Sequence, residues 1–386
     1  MKQKAAFPGA GLRREEPFAV LLERPSLTES DIASPPARSQ RARLAWEADP
    51  ARAGDQVPYG AVWVRLPRFI GDSVMIHQAL EPLRAAGIPL VAWGPAPVAE
   101  LFRGSGAFQG VWADGPDRGM RVLRRLLRAA GAAGVINLPR STRALLAAWL
   151  ARVPLRVGWR EGSGFLFANR SRPFKGEGHQ MERYRRLLEA AFPGLAAVEA
   201  RPFRPRPEAF AEADRALAGL GVQPPFVALG LGAMTANKRL GTGVWLELIA
   251  RLRRRGLAHV LLGGPGEDEA QAAAIRAGLG PVPDLAGRTP LAITAAVLAR
   301  AGVLVGNDSA MSHLAAACGT PVVAVFGPTL PERSGPTGPS VRILRREELP
   351  CLGCYRFDCP VPGHPCMEAI APETLERAVC DALALP

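Results

Sequence analysis

No apolar stretch of the 386-residue chain approaches the ~20 residues of a membrane-spanning helix. The start lacks a secretory leader, since Phe18–Leu22 is too short for a leader core and Glu15 and Glu16 precede it. Six cysteines in a chain of this length do not make a disulfide scaffold. Together these absences imply a soluble, cytoplasmic protein. Aromatic residues are 6% of the chain and do not interleave with the basic segments, as a base-stacking surface would require. That argues against a nucleic-acid module. There is no G-x-x-x-x-G-K-[ST] phosphate loop and no G-x-S-x-G elbow. No G-x-G-x-x-G opens a helix in the N-terminal half, and no Asp-x-Asp pair is present to hold a metal against a sugar diphosphate.

What is present is unevenly distributed. The formal net charge is +13. Residues 1–57 hold 9 Lys/Arg and 8 Asp/Glu, residues 58–205 hold 22 and 10, and residues 206–386 hold 17 and 17. Nearly all the excess sits in the middle segment. Such a segment fits an anionic partner, whether phosphorylated lipid, membrane surface or nucleic acid. It also fits a high-arginine genome or a thermophile surface. At 48% hydrophobic, the chain is long enough for two domains with real cores.

Residues 1–57 show no sustained period and contain Pro35-Pro36. They are expected to be a disordered tail, or an extension ahead of a natural start near Val57 or Val62. From residue 61 short apolar runs alternate with helical patterns. The expected elements are strand 61–66, helix 73–86, strand 90–93, a short helix near 97–103, strand 111–112, helix 118–130, strand 134–137 and helix 140–151. Residues 158–178 read as basic loop. Pro202, Pro205 and Pro207 mark a linker. The alternation then restarts: helix 207–220, strand 226–230, helix 242–255, strand 259–263, helix 267–278, helix 291–301, strand 303–306, helix 309–318 and strand 322–326. Two such runs predict two Rossmann-like lobes, 58–205 and 206–386, with parallel sheets facing a central cleft, the second ending in a cysteine-rich loop and a C-terminal helix. Ligands of open α/β sheets bind beyond the carboxyl ends of strands, so the strand-to-helix turns carry the search.

Five turns stand out. "VGNDSAMSHLAAACGTPVVAVFGPT", Val305–Thr329, places Asn307, Asp308 and Ser309 before a helix that closes at Gly319. Ser309 is expected to cap it, leaving free N–H groups that attract phosphate. Asp308 suits a ribose hydroxyl or a loop contact, and His313 shares the face of Ser309. Plain capping beside a buried histidine explains the same residues. "RLPRFIGDSVM", Arg65–Met75, puts Asp72 at the mouth of the first helix with Arg65 and Arg68 beside it. Asp72 is either a general base or a helix cap. "LGLGAMTANKRL", Leu229–Leu240, offers Lys238 and Arg239 to a pyrophosphate, or simply to solvent. "LLGGPGEDEA", Leu261–Ala270, combines close-approach glycines with acids that stabilise a helix start, Glu267 among them. "CLGCYRFDCPVPGHPC" spaces Cys351, Cys354, Cys359 and Cys366 as candidate zinc ligands, with His364 as an alternative; free or oxidisable thiols fit equally.

These turns resemble glycosyltransferase family 9, the bacterial heptosyltransferases of lipopolysaccharide assembly. The matching blocks are "VRLPRFIGDSVM", "ANKR", "LLGGPGE", "DLAGRTPL" and "VGNDSAMSHLAAACGTPVVAVFGPT", in order over roughly residues 61–380. The cysteine stretch ending "PCMEAIAPETL" is similar to the tail of the heptosyltransferase II branch. The resemblance implies a GT-B fold whose C-terminal lobe binds an ADP-sugar. The N-terminal lobe then meets an anionic, lipid-linked saccharide acceptor at the inner-membrane surface. It implies inverting transfer of a heptose or related sugar by direct displacement, with no cofactor needed for the chemistry. Asp72 matches the general base and Lys238 the lysine on the donor phosphates. Asp308, Ser309 and His313 match the donor turn, with Ala310 and Met311 lending backbone. Glu267 matches the donor-side loop loosely, and Ala310 departs from a frequent glycine. Arg239 is expected beside the donor, Arg65 and Arg68 beside the acceptor. The alternatives are a nucleotide-sugar binding protein without transferase activity and a two-lobed sugar-nucleotide epimerase.

Overall fold

The computed structural model describes residues 58–114, 119–175 and 178–385. The expected tail, 1–57, lies outside the described residues. The elements in chain order are β1 Val62–Arg65, α1 Ile70–Ala79, α2 Glu81–Ala85, β2 Leu90–Gly94, α3 Ala96–Phe102, β3 Gly110–Ala113, α4 Met120–Ala129, β4 Gly134–Asn137, α5 Thr142–Leu150, β5 Leu155–Trp159, β6 Arg170–Arg172 and α6 Gln180–Ala191. After the proline-marked segment come α7 Pro207–Gly219, β7 Val227–Gly230, α8 Thr242–Arg254, β8 His259–Leu262, α9 Glu267–Leu279, α10 Leu291–Arg300, β9 Val303–Asn307, α11 Ala310–Cys318, β10 Val322–Val325, α12 Pro331–Ser334, β11 Val341–Leu344, α13 Pro365–Glu368 and α14 Pro372–Ala382.

The strands form two parallel sheets, ordered β3-β2-β1-β4-β5-β6 and β11-β10-β9-β7-β8. Central strands such as β2, β4, β7 and β9 are buried along their whole length, as parallel strands covered on both faces must be. The strand order fixes where a ligand can sit. The first sheet reverses direction between β1 and β4, the second between β7 and β9, and each reversal opens a crevice at the strands' carboxyl ends. The turns that follow these four strands carry Asp72, Arg140, Lys238 and Asp308.

The lobes meet through helices. α1 packs on α11 and α3 on α10, within one apolar cluster that reaches from Val64 and Leu80 to Leu298 and Leu314. The contact is also hydrogen-bonded. Gln78 Nε2 donates to the Thr337 carbonyl at 3.0 Å, and Thr337 Oγ1 donates to Gln78 Oε1 at 2.8 Å.

The structure departs from the sequence expectations at several places. The expected helix 73–86 begins three residues earlier and divides into α1 and α2. Pro82 lacks the N–H needed to carry one helix through that point. Residues 158–178, read as loop, hold the end of β5, a 3₁₀ turn at Ser163–Phe167 and edge strand β6. Basic residues inside β5 and β6 mask their period. α6 and β11 had no counterpart in the expectations, whereas α14 stands where a C-terminal helix was expected.

Candidate active site

The turn after β1 delivers Asp72. Phe69, not Asp72, occupies the N-cap position of α1, and Asp72 stands in the first turn. The capping explanation of Asp72 therefore fails. Burial pushes its carboxyl up to about 6. Gly71 explains how it reaches the other lobe, because a Cβ there would stand 2.9 Å from His313 Cδ2. The glycine lets the start of α1 lie directly on α11.

The turn after β9 is built around Asn307. Its Oδ1 accepts from the Leu240 N–H at 3.0 Å, and its Nδ2 donates to the Leu231 carbonyl at 2.9 Å. Asn307 thus clamps both ends of the 231–240 loop that follows β7. Asp308 Oδ2 then accepts from Lys238 Nζ and from Thr329 Oγ1, each at 2.6 Å. The ammonium of Lys238 is fixed at the carboxyl edge of the second sheet. Arg239 turns the other way: it pairs with Asp268, bonds the Ala233 carbonyl at 2.9 Å, and lies 3.0 Å from Glu267.

At the start of α11 the expected cap is absent. Ser309 occupies the N-cap position, but its side chain makes no capping hydrogen bond. Its extended backbone, φ −149° and ψ 168°, carries the hydroxyl away from the first-turn amides. Gly319 does close the helix in the left-handed conformation, with φ 87°. Ser309 Oγ and His313 Nδ1 are both buried without a hydrogen-bond partner among the described residues. Buried polar atoms are nearly always bonded, so two such atoms at one helix start stand out. Burial drives the His313 imidazole down to about 4, with Lys238 and His179 opposing its charge and Asp308 favouring it. The ring is neutral at pH 7. The Met311 methyl closes the floor, where a Cβ on Gly232 would meet it at 2.9 Å. Ala310 is half-buried in the first turn.

Sequence reasoning missed several residues. Asp268, rather than exposed Glu267, is the buried carboxylate of the loop after β8: it accepts from the Gly264 N–H at 2.7 Å and holds Arg239. Helical spacing within Glu267–Glu269 was the available signal. Arg65 is engaged away from the turn, 2.8 Å from Asp114 and stacked over Trp93. Arg68 is exposed over the Phe69 ring. A basic cavity of about 470 Å³ instead opens beyond β5 and β6, lined by Trp159, Arg172, Phe174, Lys175, Arg183 and Arg186. Arg140 lies over the same Phe174 ring at 4.5 Å, with its backbone at φ 59°. Tyr184 links this cavity to Asp72: its ring lies 6.3 Å from Trp159, and the Asp72 charge raises its hydroxyl further above the usual range, where burial already holds it.

The cysteine loop lies against the segment that carries Asn237 and Lys238. Cys351, Cys354, Cys359 and Cys366 line one cavity of about 340 Å³ with His364 and Asn237. Burial, followed by the three neighbouring thiols, pushes Cys366 up to about 11. Yet among the described residues no group of three or more His, Cys, Asp or Glu is arranged to hold a metal. The four thiols share this cavity as free cysteines. Asn237 Nδ2 donates to the Arg356 carbonyl and ties the loop to the segment bearing Lys238.

Three comparisons bear on this geometry. Lipopolysaccharide heptosyltransferase 1 of Pseudomonas aeruginosa is 30% identical over 56% of this chain, a match spanning 60% of that protein. Lipooligosaccharide heptosyltransferase 2 of Haemophilus influenzae is 26% identical over 82% of this chain and 98% of its own length. The solved structure of the Escherichia coli heptosyltransferase WaaC with ADP superposes with a TM-score of 0.63, at 20% identity, over 83% of this chain and 99% of that one. The fold is therefore GT-B, two Rossmann-like lobes with parallel sheets. The model of glycosyltransferase family 9 (heptosyltransferase) matches residues 120–364, and the chain belongs to that family.

Proposed function

We propose that the protein transfers a heptose, or a closely related sugar, from an ADP-sugar to an anionic, lipid-linked saccharide of the lipopolysaccharide core, with inversion. The observation that carries the reading is the pair of orphaned buried atoms, Ser309 Oγ and His313 Nδ1, beside the fixed ammonium of Lys238. The first-turn amides of α11, Ser309 and Lys238 are suited to the donor diphosphate. Asp72 approaches from the other lobe on the helix that touches His313.

The acceptor oxygen attacks the anomeric carbon as the bond to the diphosphate oxygen breaks. Its proton passes to Asp72, and ADP leaves with the bonding electron pair. Lys238 and the helix amides stabilise the charge that develops on the leaving oxygen. A single displacement inverts the centre and needs neither a second carboxylate nor a metal. At about 6 the Asp72 carboxyl is a stronger base than an ordinary aspartate and is still ionised at pH 7. Arg140, Arg172, Lys175 and Arg183, rather than Arg65, are the groups placed to receive acceptor anions. The place of action is the cytoplasmic face of the inner membrane.

The test is incubation with ADP-heptose and a lipopolysaccharide-core acceptor, followed by mass spectrometry. A heptosylated acceptor with release of ADP supports the reading. Tight ADP-sugar binding without transfer to any core acceptor refutes it in favour of a binding protein.

A further inference from the structure

The first lobe carries a second basic surface, distinct from the cavity beyond β5 and β6. Residues 118–160 contain ten arginines and no aspartate or glutamate. Within it, Arg121, Arg124, Arg125 and Arg128 line the outer face of α4 at helical spacing, while Leu123 and Leu127 point into the core. Arg121 with Arg125, and Arg124 with Arg128, are like-charge pairs one turn apart, which weaken a helix. Nothing in the described structure compensates. These four, together with exposed Arg143 and Arg152, make no ion pair or side-chain hydrogen bond among the described residues.

The same flank exposes large apolar side chains. α4 packs on α5, and α5 packs on the 3₁₀ turn Ser163–Phe167. Across this row Val122 is 40% exposed, Trp149 50%, Phe165 46% and Leu166 57%. Trp149 lies 5.8 Å from the Phe167 ring. Arginines around exposed tryptophan, phenylalanine and leucine suit the interface of an anionic bilayer. Cations there meet headgroup phosphates, tryptophan sits at headgroup level, and aliphatic groups enter the acyl boundary. Aliphatic Leu166 and Val122 offer no stacking face to a nucleic-acid base.

We propose that the flank formed by α4, α5 and the 3₁₀ turn Ser163–Phe167 docks the protein on an anionic lipid bilayer. The inference rests on the reading that the acceptor is lipid-linked, and names the surface that brings the first lobe to it.

The test is sedimentation of the full chain with phosphatidylcholine vesicles, with and without phosphatidylglycerol. The wild type is expected to bind only the anionic vesicles. Replacing Arg124, Arg125 and Arg128 by Gln is expected to weaken binding roughly a hundredfold, from the ~1 kcal/mol that each basic residue contributes near such a surface. Trp149→Ser with Leu166→Ser is expected to remove the binding that survives added salt. Both variants should keep wild-type turnover on a deacylated, water-soluble acceptor, which shows that they are folded. Vesicle binding unchanged in both variants, equal binding to neutral vesicles, or capture of duplex RNA in place of vesicles overturns the proposal. Loss of turnover on the soluble acceptor in the wild type itself, with vesicle binding intact, instead refutes the proposed reaction and leaves the docking face standing.

Discussion

At the residue scale, Asp72 is held in a setting that disfavours its charge. Its folded value of about 6 lies above that of an unfolded aspartate, so the native state holds the extra proton. Its contribution to stability is therefore full at low pH and is lost as pH rises through about 6. Asp72→Asn is expected to raise stability at pH 7 by on the order of 2 kcal/mol, read as a higher unfolding midpoint. The same change should lower turnover by roughly a hundredfold or more if the carboxylate is the base. Wild-type kcat/KM should fall as pH drops below about 6. His313 has the opposite sign: its folded value of about 4 lies below the ordinary 6.5, so its contribution is full above 6.5 and lost as pH falls towards 4. The two slopes offset each other in the wild type. The Asp72→Asn protein should therefore show stability rising more steeply with pH between 4 and 6.5 than the parent does, in denaturant titrations across that range. Lys238→Ala leaves Asp308 buried with only Thr329 as side-chain partner among the described residues, and should cost about 3–5 kcal/mol. Adding Asp308→Asn should restore part of that stability without restoring donor affinity, which calorimetry with ADP would separate.

At the scale of elements, the contact between α1 and α11 decides the geometry. Gly71→Ala forces a methyl against His313, and is expected to cost about 1–3 kcal/mol and to shift Asp72. A displacement near 1 Å can cost about a hundredfold in turnover. If His313→Ala fails to relieve the stability loss of Gly71→Ala, the helices meet elsewhere. This contact also shows what the sequence could and could not display. The strand before Asp72, the strand before Asp308 and the left-handed stop at Gly319 were legible because they rest on local periodicity and backbone chemistry. The meeting of Gly71 with His313 was not, since it joins residues far apart in the chain. Ser309 has a capping residue's identity, but its φ, set by the surrounding turn, denies it the bond. Arg65 looked free beside Asp72, and only the sheet reveals Asp114 and Trp93 next to it. Tyr184, Arg172 and Lys175 were hidden in or just beyond a segment whose charged short strands read as loop.

At the scale of the molecule, charge and topology divide the work. The excess positive charge of residues 58–205 was visible at once, and the packing of α1 on α11 brings its first turn against that of a neutral partner. The lobes share one apolar cluster, so a ligand gripping both should stabilise the whole chain. ADP at about a hundred times its dissociation constant should add roughly 2.7 kcal/mol to the unfolding free energy. The central claim is that Asp72, from one lobe, serves a nucleotide-sugar held by the other. The measurement that tests it most directly is single-turnover heptose transfer by Asp72→Asn, with ADP affinity measured on the same preparation. The account predicts ADP affinity close to wild type and transfer reduced by at least about a hundredfold. Near-normal transfer with intact ADP binding would contradict it and leave Asp72 as a buried carboxylate without a part in the reaction.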